Sequence, residues 1–141
     1  MSPRTRKIDA GETKGLESLS HLVVVDDEAS MRALLRDFLQ SQGYRVNCFV
    51  SGSAALEAIQ AGTNPFAVVS HVHMQPMDGL SFLKHVKQAR PAIPVILYTG
   101  SVSPAERKEA LKLGATQYLA KPFSLLTLKQ LLDEARSHHG K

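Results

Sequence analysis

Five short apolar runs, each closing on a polar or turn-forming residue and each followed by a stretch with helical spacing, leave this chain few architectures. The runs are residues 21–25, 44–50, 66–71, 94–98 and 116–120. The valine-rich run at 66–71 shows no alternation of apolar and polar residues, which predicts a strand covered on both faces. After the first run, Met31, Leu34, Leu35, Phe38 and Leu39 stand at the i, i+3, i+4, i+7, i+8 spacing of one helix face, and Gly43 supplies a stop. The second helix opens on Ser51 and ends at Gly62, and the third, from about 80 to 90, places Phe82, Leu83, Val86 and Ala89 on one side before Pro91. Ser103, Pro104 and Glu106 read as N-cap, first helical position and capping-box residue of the fourth helix, which Gly114 ends. Leu125, Leu128, Leu131, Leu132 and Ala135 stripe the fifth. Strict alternation of strand and helix predicts an α/β fold: a doubly wound parallel sheet with helices on both faces, three layers α/β/α, and right-handed crossovers.

Such a sheet gathers the carboxyl ends of its strands along one edge, where open α/β folds keep their chemistry. Asp26, Asp27, His71, Thr99 and Lys121 all fall at those ends, so distant sequence positions converge on one shallow site. Asp26, Asp27 and Glu28 in succession repel one another unless a cation or basic side chain lies between them, although Asp27 or Glu28 could serve only to cap the following helix. Acids here exclude a flavin-type phosphate loop, because they repel phosphate in the absence of a metal.

The 141 residues correspond to one domain, expected at 21–140, behind a flexible tail or linker at 1–20 that carries Arg4, Arg6, Lys7 and Lys14 without apolar periodicity. One cysteine, Cys48, permits no internal disulfide and reads as a small core residue. No apolar run approaches the roughly 20 residues of a membrane span, so the expected location is the cytoplasm, with no membrane partner. A net charge of +4, from 17 basic and 13 acidic residues spread along the chain, gives no basic stripe for nucleic acid.

The acidic pair after the first strand, Met77-Asp78-Gly79 after the third, Thr99-Gly100 after the fourth and Lys121-Pro122-Phe123 after the fifth, in this order, resemble the receiver domain of bacterial two-component response regulators. The likeness covers residues 21 to about 139. It implies a flavodoxin-like (βα)5 sheet of order 2-1-3-4-5 and a signalling module of a phosphorelay, not an enzyme. By the same resemblance Asp26 and Asp27 match magnesium-binding acids, and the backbone carbonyl of His73 a further metal ligand. Thr99 matches the phosphate-sensing hydroxyl, Lys121 the phosphate-pairing lysine and Tyr118 the aromatic switch, and Lys121–Pro122 matches a bond often cis. The family's phosphoacceptor is an aspartate eight residues before the glycine of Met-Asp-Gly; that position is His71. The proline of the same loop comes one place late, at Pro76, which predicts a different loop shape.

Replacing a carboxylate by imidazole removes a charge and an oxygen ligand, so magnesium binding is expected to be weak. One reading is a pseudo-receiver in which His71, protonated by its acidic neighbours, sits in the cation's place and signalling proceeds by protein contact. A second is a metal-sensing module in which Asp26, Asp27 and His71 hold zinc, manganese or nickel, with the His73 side chain joining if the loop folds back. A third keeps phosphorylation on a non-standard residue, either His71 itself or another acceptor, with Ser70 expected to face the opposite side of the strand. The resemblance implies a sensor histidine kinase or a downstream effector as partner, or a second copy bound through the face of fourth helix, fifth strand and fifth helix, where Lys108, Glu109 and Lys112 add charge. His85 is expected on an exposed helix side, and His138 and His139 in a frayed end.

Overall fold

Strand and helix alternate without exception in the computed structural model, which describes residues 20–101 and 103–139. The strands are β1 (His21–Val25), β2 (Arg45–Phe49), β3 (Ala67–His71), β4 (Val95–Thr99) and β5 (Gln117–Ala120). The helices are α1 (Ala29–Ser41), α2 (Gly52–Gln60), α3 (Gly79–Ala89), α4 (Pro104–Lys112) and α5 (Leu125–His139). All four strand pairings are parallel and the sheet order is β2-β1-β3-β4-β5, as expected. The tail expected at 1–20 lies outside the described residues except for Ser20. No helix among the described residues is long and apolar enough to cross a membrane.

Because successive strand side chains point to opposite faces, the sheet feeds two cores. Leu22, Val24, Ala67, Val69, Ile96 and Tyr98 pack against Leu35 and Leu39 of α1 and Leu128 and Leu132 of α5. Val23, Val25, Val68, Val95 and Leu97 point the other way, onto α2, α3 and Ala110 of α4. Each fully buried leucine contributes on the order of 2 kcal/mol. α4 buries only Ala110, so its caps matter more: Ser103 Oγ accepts the Glu106 amide at 3.2 Å and Pro104 starts the helix.

Two packing expectations change. Leu34, placed on the apolar face of α1, is 50% exposed, because the sheet covers only the Leu35–Leu39 side; Leu34 and Met31 instead flank an open cavity of about 360 Å³ with Pro122, Phe123 and Leu125. Cys48 is part-buried against the α1/α5 core, where burial pushes its thiol up and away from the reactive thiolate. α5 continues through His139, so the backbone of the expected frayed end is helical.

The turn from β3 into α3 sets the position of the candidate site. Asp78 caps α3 by accepting the Ser81 amide at 2.9 Å, and the Gly79 amide donates to Val72 O at 2.7 Å, folding the loop back onto the strand end. The Gln75–Pro76 bond in this loop is cis, as is Lys121–Pro122.

Candidate functional site

Asp26 follows directly on β1 and is only 1% exposed, so its carboxylate needs internal partners. It has them on both oxygens. Oδ1 accepts the Glu28 amide at 2.9 Å, and Oδ2 accepts the Tyr98 hydroxyl at 2.5 Å. Arg32 donates to the Asp26 backbone carbonyl at 2.7 Å and fixes the strand end further. Glu28 is the N-cap of α1 but makes no side-chain cap bond, so the expected capping role of the acids is not the one seen: Asp26 engages the Glu28 amide instead. Burial, reinforced by the bond to Asp26, pushes the Tyr98 hydroxyl far above its ordinary range, so it stays a donor at any physiological pH. Tyr98→Phe should therefore leave Asp26 Oδ2 buried without a donor and cost about 1–3 kcal/mol. A urea titration reads this as a lower midpoint at unchanged slope; an unchanged midpoint would show that the bond contributes nothing.

His71 ends β3 beside Tyr98, its register partner on β4. The two rings are 5.2 Å apart and tilted. The imidazole is 17% exposed, and its Nδ1 is buried with no hydrogen-bond partner among the described residues. That atom lies 4.0 Å from Asp26 Oδ1, too far for a hydrogen bond. The sequence suggested an imidazolium drawn to the acids; the structure contradicts this. Burial, the largest influence, depresses the His71 pKa, Asp26 pulls it the other way, and Lys121 depresses it further. Asp26 cannot reverse the balance at 4.0 Å. The balance favours the neutral ring at neutral pH, so the 4.0 Å approach to Asp26 does not draw His71 into the charged form.

Asp27 is exposed at the mouth, and Asp26, Asp27 and His71 each present one ligand atom within 4.8 Å of the others. His73 does not join them with its side chain. It is 50% exposed and its Nε2 lies 3.5 Å from Glu106 Oε1, because the loop carries it outward towards α4. Lys121 Nζ sits 5.5 Å from the Tyr98 ring centre, a cation–π contact. Thr99 is buried at the end of β4, and its hydroxyl both accepts the Ser101 amide at 3.0 Å and reaches the Ser101 carbonyl at 3.2 Å. Tyr118 points inward; its hydroxyl donates to Glu106 Oε1 at 2.6 Å, and burial together with this bond leaves it pushed up to about 12. Ser70 is fully buried on the face opposite His71 and bonds the His71 carbonyl at 3.0 Å. His85 is exposed and bonds Ser81 O within its own helix.

Two participants were not found from the sequence. Tyr98 read as one more apolar strand residue, although a tyrosine one place before Thr99 must send its hydroxyl somewhere if buried. Glu106 read as a capping residue, yet its carboxylate joins the Tyr118 hydroxyl and approaches His73.

The donor set does not suit magnesium. Magnesium demands octahedral oxygen ligation near 2.0–2.1 Å, whereas one of the three side chains that converge here is an imidazole.

The sequence profile described as "Response regulator receiver domain" matches residues 22–133. The transcriptional regulatory protein ZraR of Escherichia coli K12 is 38% identical over 117 residues, covering 83% of this chain and 26% of that protein. The DNA-binding transcriptional regulator NtrC of Klebsiella pneumoniae is 37% identical over 116 residues, 82% of this chain and 24% of its own length. This chain thus spans about a quarter of these relatives. Among solved structures, the beryllofluoride-activated NtrC4 receiver domain dimer superimposes with a TM-score of 0.78 at 30% identity, covering 84% of this chain and 98% of that one. The strand order, the acidic pair beyond β1 and a profile spanning nearly the whole sheet agree: this chain belongs to the response regulator receiver domain family of two-component systems.

Proposed function

We propose that this receiver domain is a pseudo-receiver, a non-enzymatic cytoplasmic signalling module that works by protein contact and not through an aspartyl phosphate. The observation that carries the reading is the imidazole of His71, 17% exposed at the end of β3, where phosphoryl transfer to a carboxylate would need an oxygen nucleophile. Its surroundings fit a silenced site. Asp26 is held by Tyr98 and Glu28, Thr99 by the Ser101 backbone, and Lys121 lies against Tyr98. In this reading Asp26, Asp27 and the His73 carbonyl are the remains of a magnesium site, and Thr99, Lys121 and Tyr118 the remains of the phosphate-reading set. Ser70 does not replace the missing carboxylate, because it is enclosed on the opposite face of the sheet.

The signal then leaves through the surface of α4, β5 and α5. Lys108, Glu109 and Lys112 are exposed on α4, Leu111 beside them is 43% exposed, and a helix that buries only Ala110 is free to adapt to a partner. A histidine kinase, an effector protein or a second copy of the domain is the class of partner expected; DNA binding, part of the NtrC name, is not assigned to this segment.

Beryllofluoride with magnesium supplies the test, since it activates the NtrC4 receiver domain. Added to the isotopically labelled chain, it should leave the amide resonances of Thr99, Tyr118 and Lys121 in place. Saturable shifts at these three positions would overturn the pseudo-receiver reading.

A further inference from the structure

We propose that the Tyr118 hydroxyl is part of the N-terminal cap of α4, so that this helix stays folded only while Tyr118 is turned inward. Ser103 is the N-cap of α4, Pro104 its first residue and Glu106 its third. In a capping box the serine side chain takes the third amide and the glutamate reaches back to the serine N–H, which answers two of the backbone donors a helix start leaves open. Here Ser103 Oγ accepts the Glu106 amide at 3.2 Å, as the pattern requires. The returning half runs through another element. Glu106 Oε1 accepts the Tyr118 hydroxyl of β5 at 2.6 Å, and the phenolic oxygen takes a backbone hydrogen bond from Ser103 that favours its ionised form, as only an N–H donor does. One oxygen from β5 thus stands between the two ends of the box.

α4 depends on this cap because little else holds it. The helix has nine residues and buries only Ala110, and a helix shorter than about 12–15 residues is marginal without packing. Tyr118 is 3% exposed, so its hydroxyl must find a partner inside, and turning outward would strip Glu106 and Ser103 together. Arg107 donates from Nη1 to the Tyr118 backbone carbonyl at 3.1 Å, which holds the strand against the same helix turn. His73 Nε2 approaches Glu106 Oε1 at 3.5 Å but is half exposed, so it adds little. The Thr99 hydroxyl is engaged with Ser101, and the coupling runs between β5 and α4 without passing through it. Such coupling is reciprocal. A partner that takes up the Tyr118 ring from outside releases the start of α4, and a partner that needs an intact α4 holds Tyr118 in. This gives the contact face proposed above a conformational switch and rests on that reading for its use; the cap itself does not depend on residue 71.

Hydrogen–deuterium exchange of the intact chain, without magnesium or phosphate, tests the cap. Tyr118→Phe keeps the ring and removes the hydroxyl. In this variant the α4 amides should exchange about fivefold faster or more, the factor expected for a lost cap, while those of α3 and β4 keep their rates. Glu106→Ala should do the same and should also open Tyr118 to acetylation by N-acetylimidazole; Glu106→Gln, which retains an oxygen acceptor, should restore both. Combining Tyr118→Phe with Glu106→Ala should add little to either, because the two changes break one unit. Unchanged α4 exchange in Tyr118→Phe, an unreactive Tyr118 in Glu106→Ala, or fully additive effects in the double variant would each overturn the proposal. None of these readouts involves phosphorylation. A failed cap would leave the account of His71 standing, and phosphoryl uptake by the unmodified chain would leave the cap standing.

Discussion

His71→Asp is expected to convert a chain that ignores acetyl phosphate into one that takes up a single phosphoryl group when magnesium is present. The effect is all or none, because the substitution supplies two things at once: a carboxylate nucleophile and a third oxygen ligand beside Asp26 and Asp27. The phosphate-reading residues stand at the same edge and would exchange their present partners, the Tyr98 ring and the Ser101 backbone, for the phosphoryl group. Lys121 stands over Tyr98, within the same strand-end edge, and Thr99 ends the neighbouring strand. The β3 backbone that presents residue 71 is held by its pairing to β4 and by the Val72–Tyr98 hydrogen bond at 2.9 Å, so the new carboxylate should occupy the place of the imidazole. Intact mass spectrometry after incubation reads the gain directly; a His71→Asp variant with unchanged mass would mean that Tyr98 or the displaced Pro76 loop blocks the site independently of His71.

Gly79→Ala is expected to be the most damaging glycine-to-alanine change among the described glycines. A Cβ at this position would stand 2.6 Å from the His71 carbonyl oxygen and 2.7 Å from Val72 Cα. Both are backbone atoms at the end of a central strand and cannot swing aside. Either β3 or the start of α3 must move, breaking the 2.7 Å Gly79–Val72 hydrogen bond. A cost of about 3 kcal/mol or more follows, at the upper end for overpacking, from a total of about 5–15 kcal/mol for a domain of this kind. Gly100→Ala is the control, since its Cβ would meet nothing nearer than Lys121 Cδ at 3.8 Å. Urea midpoints should separate the two variants clearly; equal midpoints would mean that the strand end yields easily and does not hold residue 71 rigidly.

The elements and their order were legible because most of the helices carry a start or stop residue and all but the fourth a regular apolar stripe. Ser51 and Ser103 accept the expected amide three residues on, and Gly43, Gly62 and Gly114 all take positive φ, while the Asp78 cap of α3 was not anticipated. The convergence of Asp26, Asp27 and His71 was legible too, since parallel strands of known order must bring their ends together. What was not legible depends on distances of an ångström or two. Whether His71 is protonated turns on its enclosure and on a 4.0 Å gap, and the sequence supplies the neighbours without the gap. Tyr98 was hidden because its hydroxyl matters only through the β3–β4 register, which sets it beside His71 and lets it reach Asp26. The His73 side chain was expected to join the acids only if the loop folded back, and the loop beyond β3 turns it towards Glu106 instead.

The most direct measurement of the silenced receiver is the intact mass of the unmodified chain after incubation with acetyl phosphate and magnesium, kept at neutral pH so that a phosphohistidine would survive. An unchanged mass is the expected result, beside a His71→Asp sample that gains one phosphoryl group. A phosphoryl group on the unmodified chain would contradict it, and the switch would then be alive on an atom other than an aspartate oxygen at position 71.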